Sequence, residues 1–526
     1  MSKRRKFYGW GFEGEGMTAA EEEAALANFR RLFAVERFEM RCIPSLAELH
    51  LRAPRIAPSA ALATICSTGP YERALHSFGK SYPETVHGVQ GDYAAAPDIV
   101  AYPRNERDVA EVIDWAGSHA LSIMPFGGGS SVVGGVTPTL GPGATGTVSL
   151  DLSLLNHVLE VDHTSRSARI EAGMFGPALE SALKPHGLTL RHFPQSFEHS
   201  TLGGWIATRS GGHYASLRTH IDDFVEGLRL VTPRGSLETR RLPASGAGPN
   251  PAGLFIGSEG ILGIVTEAWM RLTPRPHHRC GAAVWFPDFF TAAVALRALL
   301  QSGLTPANCR IIDPEEVRNT IAGDGSAALM VLGFEGWDRP LDDLLSRALA
   351  LVQDHGGRAE DAAPGESAAG RWRTAFIRMP YARERMVPRA IISDTFETAV
   401  TWDRFEALHA AVTKAVLGAI REATGRPGQI TCRITHVYPD GPAPYFSFHA
   451  LGRDGTLIAQ WQAIKKAASD ALIATGGTIT HHHAVGRDHR PWYDKERPNL
   501  FATALAAAKS ALDPGSLLNP GVLIGP

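Results

Sequence analysis

The spacing of apolar and polar residues along this chain predicts a mixture of helices and strands. After Asn105, apolar residues recur at Val109, Val112, Ile113 and Ala116, which is the spacing of an amphipathic helix. Alternating runs predict strands, and they occupy residues 121–124, 146–152, 157–161, 167–171, 224–231 and 236–241. The extended segment 97–103, this helix and the run 121–124 form an α/β unit, and a glycine-rich loop follows its second strand.

The pattern differs at the two ends of the chain. Before residue 95 it is mainly helical, and Thr18 and Glu21 have the spacing of a capping box that opens a helix reaching Phe33. After residue 275, helical stretches alternate with strand-like runs, which predicts a second domain of the α+β class. The helical stretches are 289–300 and 341–352, and the strand-like runs are 327–334, 430–438 and 445–451. We therefore expect four segments, 1–94, 95–275, 276–475 and 476–526.

The composition is that of a globular protein, since 44% of the 526 residues are hydrophobic and 20% are charged. This length exceeds what one hydrophobic core supports, so several domains are expected. The net charge of −2 provides no basic field, and we expect no nucleic-acid partner. Five scattered cysteines without a Cys-x-x-Cys pair predict neither a disulfide framework nor a zinc ribbon.

The apolar runs and the start of the chain bear on localisation. No run approaches the roughly 18–20 apolar residues that span a bilayer, so we expect a cytoplasmic protein. Arginines and aromatic residues are mixed within residues 4–41, a combination that suits peripheral contact with an anionic membrane. A solvated helix whose apolar side docks on the protein explains the same pattern, and we favour that interpretation.

The densest glycine cluster lies in residues 125–136, PFGGGSSVVGGV. Glycines leave the backbone free to adopt positive φ and to point N–H groups at an anion, most simply a phosphate. A solvent-exposed turn is the alternative. The P-loop pattern fails because Gly135 and Val136 stand where Lys and Ser or Thr are required. The Rossmann pattern fails because Val132 replaces its third glycine.

Two further glycine segments follow the first one. In residues 195–212, Ser200 or Thr201 can cap a helix that begins with Gly203 and Gly204, where a flat ligand could approach the helix N-terminus. Tight packing of that helix on a sheet explains the same glycines. Residues 257–267, GSEGILGIVTE, form a third glycine-bearing loop that leads into a strand.

In this order, the three segments resemble the FAD-binding domain of the vanillyl-alcohol-oxidase type, also called PCMH-type. The resemblance implies an α+β fold with a two-subdomain FAD-binding domain at 95–275, a cap domain for the substrate at 276–475 and a C-terminal segment, 476–526, that returns to the FAD domain. The residues expected to contact FAD are Pro125, Phe126, Gly127, Gly128, Gly129, Ser130, Ser131, Gln195, Ser196, Phe197, Glu198, His199, Ser200, Thr201, Thr208, Arg209, Ser210, Gly211, Glu259, Gly260, Ile261, Leu262, Gly263, Ile264 and Val265.

Three adjacent histidines, His481, His482 and His483, follow a run that predicts a strand. Alternation along a strand would place the first and third on one face and the second on the other, so the triplet alone would not enclose one metal ion. A two-histidine metal site and a set of structural core histidines are alternatives. We favour an active-site role, because imidazole transfers protons near neutral pH, and we expect no metal.

The chain also resembles the alkyldihydroxyacetonephosphate synthase family over nearly its whole length. The residues that carry this resemblance are Trp10-Gly, Tyr381-x-Arg383, Thr395-Phe-Glu-Thr, Trp402-Asp-Arg, Thr431-Cys-Arg-Ile-Thr, Tyr445-Phe-Ser-Phe, the histidine triplet and Leu512-Asp-Pro-Gly-Ser-Leu-Leu-Asn-Pro. It implies that Tyr445 is the acid/base residue, that Arg383 holds the substrate phosphate, and that the three histidines line the site. From the residues alone, we would favour the structural alternatives, an ordinary strand aromatic for Tyr445 and a surface ion pair for Arg383.

The family reaction implies noncovalently bound FAD and no net oxidation. The acyl group of acyl-dihydroxyacetone phosphate is exchanged for a long-chain alcohol through a flavin adduct, and an apolar tunnel in the cap domain accepts the alkyl chain. We also expect a homodimer. The chain departs from the family pattern at Gln195, His199 and Ala484, where an acidic residue, an apolar or aromatic residue and a glycine are expected. The alternatives are an FAD-dependent 2-hydroxyacid dehydrogenase or oxidase and a flavin-binding protein without chemistry of its own.

Overall fold

The computed structural model describes residues 4–214, 218–360 and 367–525. Its α-helices are α1 Ala19–Phe33, α2 Pro70–Leu75, α3 Tyr82–Gln90, α4 Glu106–Ser118, α5 Gly176–Leu183, α6 Leu202–Thr208, α7 Pro251–Phe255, α8 Phe289–Gln301, α9 Pro314–Asn319, α10 Asp342–Asp354, α11 Ala368–Arg378, α12 Arg383–Met386, α13 Phe405–Thr424, α14 Leu457–Ala474, α15 Arg490–Glu496 and α16 Asn499–Leu512. Its strands are β1 Cys66–Ser67, β2 Ile99–Ala101, β3 Leu121–Phe126, β4 Gly146–Asp151, β5 Val158–Asp162, β6 Ser167–Glu171, β7 Leu188–Thr189, β8 Val225–Thr232, β9 Gly235–Glu238, β10 Ile264–Arg271, β11 Thr273–Pro274, β12 His278–Phe286, β13 Asn308–Ile312, β14 Ala328–Gly336, β15 Arg358–Ala359, β16 Ile391–Glu397, β17 Gln429–Val437 and β18 Pro442–Leu451.

Two sheets form the part of the fold that carries the glycine loops. The first has the order β1-β2-β4-β3 with a parallel core, and α4 packs on it through its predicted apolar face. The second has the order β5-β6-β10-β8-β9 and is antiparallel. The helix after Asn105 and the strands predicted at 224–231 and 236–241 are thus confirmed, and the two strands pair as the hairpin β8-β9. The glycine loop leaves the carboxyl end of β3, the end of a parallel strand where ligands commonly bind.

A seven-stranded antiparallel sheet, β15-β12-β14-β13-β17-β18-β16, forms the second half. Helices α8, α13 and α14 cover one of its faces with a continuous apolar core. On the other face, one apolar patch packs against α9 and α11, and polar side chains on the remaining part face the glycine loops. The expected α+β class and the strand-like runs at 327–334, 430–438 and 445–451 are confirmed.

Residues 4–33 dock on both halves of the molecule. Thr18 caps α1, and its capping box with Glu21 is present, so the predicted helix to Phe33 is confirmed. The apolar side of α1, including Phe29, packs on Met386 and Ile391, as the favoured interpretation of this segment requires. Before α1, the backbone of Trp10 donates to the carboxylate of Glu384.

The last segment returns to the first two sheets. Leu518 bridges Ile123 of β3, and Leu505, Val522 and Leu523 enter the core of the antiparallel sheet. Among the residues that the structure describes, no helix combines the length and apolar character needed to cross a membrane.

Candidate active site

The three glycine-bearing segments meet at one place. A Cβ on Gly128 would lie 1.8 Å from the carbonyl oxygen of His199, and a Cβ on Gly260 would lie 2.5 Å from Cγ of Pro125. Gly129 has a φ of +64°, and a Cβ there would lie 2.4 Å from the Phe126 ring. Only glycine therefore fits where these loops touch, and the predicted convergence of the loops is observed.

The loops and the polar face of the seven-stranded sheet enclose a cavity of about 410 Å³. Most residues predicted to contact FAD line it. They are Pro125, Phe126, Gly127, Gly128, Gly129, Ser130, Ser131, Gln195, Ser196, Thr201, Thr208, Ser210, Gly211, Glu259, Gly260, Gly263, Ile264 and Val265. The other seven do not line it, namely Phe197, Glu198, His199, Ser200, Arg209, Ile261 and Leu262. Ile261 and Leu262 are core residues of the antiparallel sheet, because apolar contacts there bury both side chains.

The contacts of helix α6 support the packing interpretation for Gly203, and both Gly203 and Gly204 also line the cavity. Thr201 caps the helix, as predicted. The amides of Leu202 and Gly203 donate to the carbonyls of Met174 and Ala172, and a Cβ on Gly203 would lie 2.8 Å from that of Ala172. Gly203 therefore serves tight packing, and the first amides of this helix are engaged by protein carbonyls.

A row of polar residues crosses three strands of the cavity face. Glu397 on β16 pairs with Tyr445 on β18, and Tyr445 pairs with Arg433 on β17. Because side chains alternate along a strand, paired residues point to the same face. The Tyr445 hydroxyl donates to Thr395 Oγ1 at 3.0 Å, and the Arg433 guanidinium lies 3.9 Å from the centre of the Tyr445 ring.

The histidine triplet does not follow a strand, and the predicted alternation of its side chains is wrong. The chain instead wraps around the carboxylate of Glu397, which accepts the amides of His481, His482 and His483 and the hydroxyl of Thr480. Three consecutive amides that point at one carboxylate require a bent backbone. A long-range partner, more than 80 residues earlier in the sequence, therefore overrides the local strand pattern.

This bend divides the triplet in a way that alternation does not predict. His482 and His483 line the cavity with Tyr445, whose ring centre lies 5.4 Å from that of His483. His481 points away from the cavity wall. Its Nε2 lies 2.8 Å from the Tyr438 hydroxyl and 3.0 Å from His220 Nε2.

Ring nitrogens of His436, His481 and His482 lie within 4.8 Å of one another, a spacing compatible with a metal ion. Two of these imidazoles already have close partners, since His436 Nε2 lies 2.6 Å from the Gly212 carbonyl and His481 Nδ1 lies 3.1 Å from His482 Nδ1. A metal would displace such contacts, so we interpret the cluster as a hydrogen-bonded group.

Burial governs the protonation of this region. It lowers the pKa of His482, and it lowers the pKa of His481 and of His483 well below the usual value, so all three imidazoles are neutral near pH 7. Burial opposes the charge of Glu397, but its contacts with the histidine triplet, including three backbone amides, and with the Thr480 hydroxyl outweigh burial and hold the pKa of that carboxyl well below its usual range. Burial also raises the pKa of Tyr445, although Arg433 opposes this rise, so the phenol is protonated at neutral pH.

Arg383 lines the cavity but is already engaged. Its Nη2 donates to Asp394 Oδ1 and its Nη1 to the Lys80 carbonyl, both at 2.5 Å. Asp394 also accepts from Trp461 Nε1 at 2.7 Å. Arg383 thus forms a buried ion pair at the cavity wall, instead of the surface pair considered from the sequence.

Sequence reasoning missed two other arginines at this wall. Arg433 on β17 and Arg310 on β13 are buried and line the cavity. The sequence contains a signal for Arg433. The run Thr431-Cys-Arg-Ile-Thr435 alternates polar with apolar residues within β17, a strand that is covered on both faces, so its polar residues are buried on one face. Trp10 and Asn519 also line the cavity, although they lie near opposite ends of the chain.

The cavity fits a dinucleotide with a diphosphate. Glycines form the wall at 127–129, so peptide groups instead of side chains face a ligand there. The guanidinium of Arg5 donates to the Gly128 carbonyl and brings positive charge to the same loop. Gly211 lines the same cavity, and a Cβ there would come within 3.1 Å of His436 Nε2 and His482 Cβ, so glycine lets the two histidines pack close to this part of the wall.

Known proteins match both halves of the chain. The family model described as FAD binding domain matches residues 97–240, and the model described as FAD linked oxidases, C-terminal domain, matches residues 275–523. Alkyldihydroxyacetonephosphate synthase from Dictyostelium discoideum is 31% identical over 478 residues, covering 86% of this chain and 77% of the relative. The enzyme of that name from Caenorhabditis elegans is 30% identical over 485 residues, covering 86% and 80%.

Glycolate oxidase subunit GlcD from Bacillus subtilis is more distant, at 26% identity over 440 residues, 82% of this chain and 89% of that protein. Among solved structures, an alkyldihydroxyacetonephosphate synthase superposes with a TM-score of 0.81 at 26% identity, over 98% of this chain and 97% of that one. p-Cresol methylhydroxylase shares the fold, with a TM-score of 0.68 over 97% of this chain and 98% of that one, at 14% identity. The fold is therefore of the PCMH type, FAD is the cofactor that the domain binds, and the chain belongs to the alkyldihydroxyacetonephosphate synthase family.

Proposed function

We propose that this protein is an FAD-dependent alkyldihydroxyacetonephosphate synthase, which exchanges the acyl group of acyl-dihydroxyacetone phosphate for a long-chain alcohol. The observation that supports this most is the single cavity that joins the three glycine-bearing loops to Tyr445, His482 and His483. A cofactor held by the loops and a substrate held on the sheet would meet at these side chains.

FAD would be held noncovalently by the loops around Gly128, Thr201 and Gly260. When bound, it supplies the isoalloxazine ring, whose chemistry permits group exchange without net oxidation. The protein supplies proton transfer and orientation. Tyr445 is a protonated phenol held by Thr395 and would act as the acid/base residue, while neutral His482 and His483 lie beside its ring and would line the reaction site. Glu397 acts as a positioning residue, because it fixes the backbone that carries both histidines.

Other features of this function remain predictions. Arg383 would hold the substrate phosphate from its ion pair with Asp394, and His481 would stabilise His482 from behind. Residues 276–475 would form the cap domain with the alkyl tunnel, while 95–275 and 476–526 would hold FAD. A homodimer and peripheral contact with a membrane stay predictions as well.

The test is to supply flavin-loaded protein with acyl-dihydroxyacetone phosphate and a fatty alcohol and to measure the ether product. We expect product from the wild type and a loss of about 10²–10⁴-fold in rate for Tyr445→Phe, the range for a lost acid/base group. Tyr493→Phe, outside the cavity, is the matched control and should keep full activity. Wild-type protein that binds FAD but makes no ether would refute the synthase assignment.

A dehydrogenase is the second candidate, and the similarity to a glycolate oxidase subunit favours it. D-Lactate or glycolate would then reduce the flavin and bleach its absorbance. We expect no bleaching with either acid, whereas ether formation would leave the flavin oxidised throughout.

A further inference from the structure

Arg433 and Arg310 carry N–H groups that the described part of the protein leaves without acceptors. Nη1 of Arg433 donates to Glu316 Oε1 at 2.8 Å, but its Nε and Nη2 have no acceptor there. Arg310 donates through Nε to Asn308 and through Nη2 to the His213 carbonyl, while its Nη1 has no acceptor. Arg310 is 1% exposed and Arg433 is 0% exposed, so both guanidiniums are removed from bulk solvent.

The strand register brings these two side chains together. Arg433 pairs with Ile312, and Arg310 lies two residues before Ile312 on the same strand. The two arginines are therefore diagonal neighbours on one face of the sheet, where long side chains can reach the same ligand. Both line the cavity, and Tyr445 lies on the other side of Arg433.

The local charge is not balanced by the protein groups that contact them. Glu316 is the carboxylate paired with Arg433, and it also lies 3.4 Å from Trp372 Nε1. The remaining neighbours of Arg310 are an amide, a carbonyl and the rings of Trp372 and Phe376, at 5.5 and 5.4 Å. Two buried cations with one carboxylate leave a net positive charge, and a buried charge without a partner is costly.

We propose that Arg310 and Arg433 form an oxyanion subsite beside Tyr445, which binds the phosphate of the ketone substrate or the carboxylate of the fatty acid that leaves it. The specific sources rest on the proposed function, whereas the subsite itself rests on the geometry. Planar guanidinium groups donate parallel hydrogen bonds to phosphate or carboxylate oxygens. If the anion is the phosphate, Arg310 and Arg433 would hold it together with Arg383, which would contribute less because its guanidinium is already bound to Asp394 and to the Lys80 carbonyl.

The alternative is that these N–H groups serve the cofactor. Carbonyl oxygens of a flavin ring could accept the same bonds, and the arginines would then set FAD affinity instead of anion affinity. Substitution of the arginines would lower anion affinity in the first case and FAD affinity in the second, so both affinities are measured on the same variants.

The experiment is isothermal titration calorimetry of flavin-loaded protein with inorganic phosphate in one arm and hexanoate in the other. The variants are Arg433→Gln, Arg310→Gln and Arg383→Gln, with Arg318→Gln as control, because Arg318 pairs with Glu315 on the same helix as Glu316. FAD affinity is measured in parallel by flavin fluorescence. These measurements need no turnover, so a failure of the proposed reaction would not alter them.

We expect at least one anion to bind about tenfold more weakly, or worse, in Arg433→Gln and Arg310→Gln, the effect of losing a hydrogen bond to a charged group. Arg383→Gln should change that affinity less, and Arg318→Gln should not change it. The arm that responds identifies the source, phosphate or carboxylate. The proposal is overturned if neither anion binds the wild type, if both arginine variants bind as the wild type does, or if only FAD affinity falls.

A variant that does not fold would not decide the question, so two further variants accompany Arg433→Gln. Arg433→Lys keeps the charge beside Glu316 but removes the planar fork. The double variant Arg433→Gln/Glu316→Gln removes both charges of the ion pair and leaves no unpaired carboxylate. Both should keep FAD and lose anion affinity, and wild-type anion affinity in either folded variant would contradict the subsite.

Discussion

Replacing Glu397 tests whether its carboxylate holds the histidine segment in place. In Glu397→Gln one oxygen can still accept the amides of His482 and His483, but the other becomes an NH₂ group that faces the amide of His481. One charge-assisted hydrogen bond is lost, the remaining ones lose their charge, and a donor meets a donor. At about 1.5–3 kcal/mol for a bond to a charged group and about 1–3 kcal/mol for a buried unpaired donor, the segment should lose about 3 kcal/mol.

Hydrogen exchange of a peptide that covers residues 478–486 measures this loss directly. Since every 1.4 kcal/mol is about tenfold in an equilibrium constant, the segment should open and exchange about 100-fold faster in the variant. Ether-forming activity should fall with it, because His482 and His483 lose their positions. Glu23→Gln is the control, since Glu23 is an exposed residue of α1 paired with Arg30, and exposed pairs contribute about 0–1 kcal/mol.

Unchanged exchange of residues 478–486 in a folded Glu397→Gln protein would refute this reasoning. It would mean that packing, and not the carboxylate, holds the backbone of the three histidines. A loss of activity without faster exchange would instead give Glu397 a direct part in the chemistry.

The remaining predictions concern backbone strain, pH and the cofactor. Ala484 has a φ of +71° where the family pattern has glycine, so Ala484→Gly should raise the unfolding free energy by about 1 kcal/mol in a denaturant titration. Gly129→Ala should lower the melting temperature and the FAD affinity, whereas Gly246→Ala, which meets nothing within 4 Å, should change neither. Burial lowers the pKa of His489 to about 4. Below about pH 6.5 the histidine is therefore protonated in the unfolded chain but stays neutral in the folded one. The unfolding free energy should fall as the pH drops from about 6.5 to 4, and it should fall less in His489→Gln. Acid precipitation should release all FAD into the supernatant, and flavin that stays with the pellet would show a covalent link.

Local signals in the sequence predicted local structure well. The capping box of Thr18 and Glu21, the apolar face of α4 and the loop glycines depend on near neighbours, and each was found as expected. The meeting of the loops followed from the resemblance, because only a known arrangement relates segments whose first residues are more than 60 positions apart. The contacts of Gly128 and Gly260 then explain why glycine is needed there.

The predictions that were wrong or incomplete concern residues whose contacts lie far away in the sequence. The local pattern of residues 478–483 predicts a strand. The carboxylate of Glu397 instead accepts three consecutive amides and bends this segment, and the local sequence contains no sign of that partner. Ile261 and Leu262 were assigned to the cofactor with the rest of their loop, although their apolar side chains fit the core. Arg433 belongs to a motif that carries the family resemblance, but only the strand register places it beside Tyr445.

The docking of residues 5–10 has a consequence for biosynthesis. Arg5 is bonded to Gly128, and Lys6 is paired with Glu384, which lies 378 residues further along the chain. At roughly 5–20 residues per second, a ribosome makes the second partner roughly 20–75 s after the first. During that interval the native site of this basic, aromatic segment is incomplete, so its final docking would be among the late events of folding.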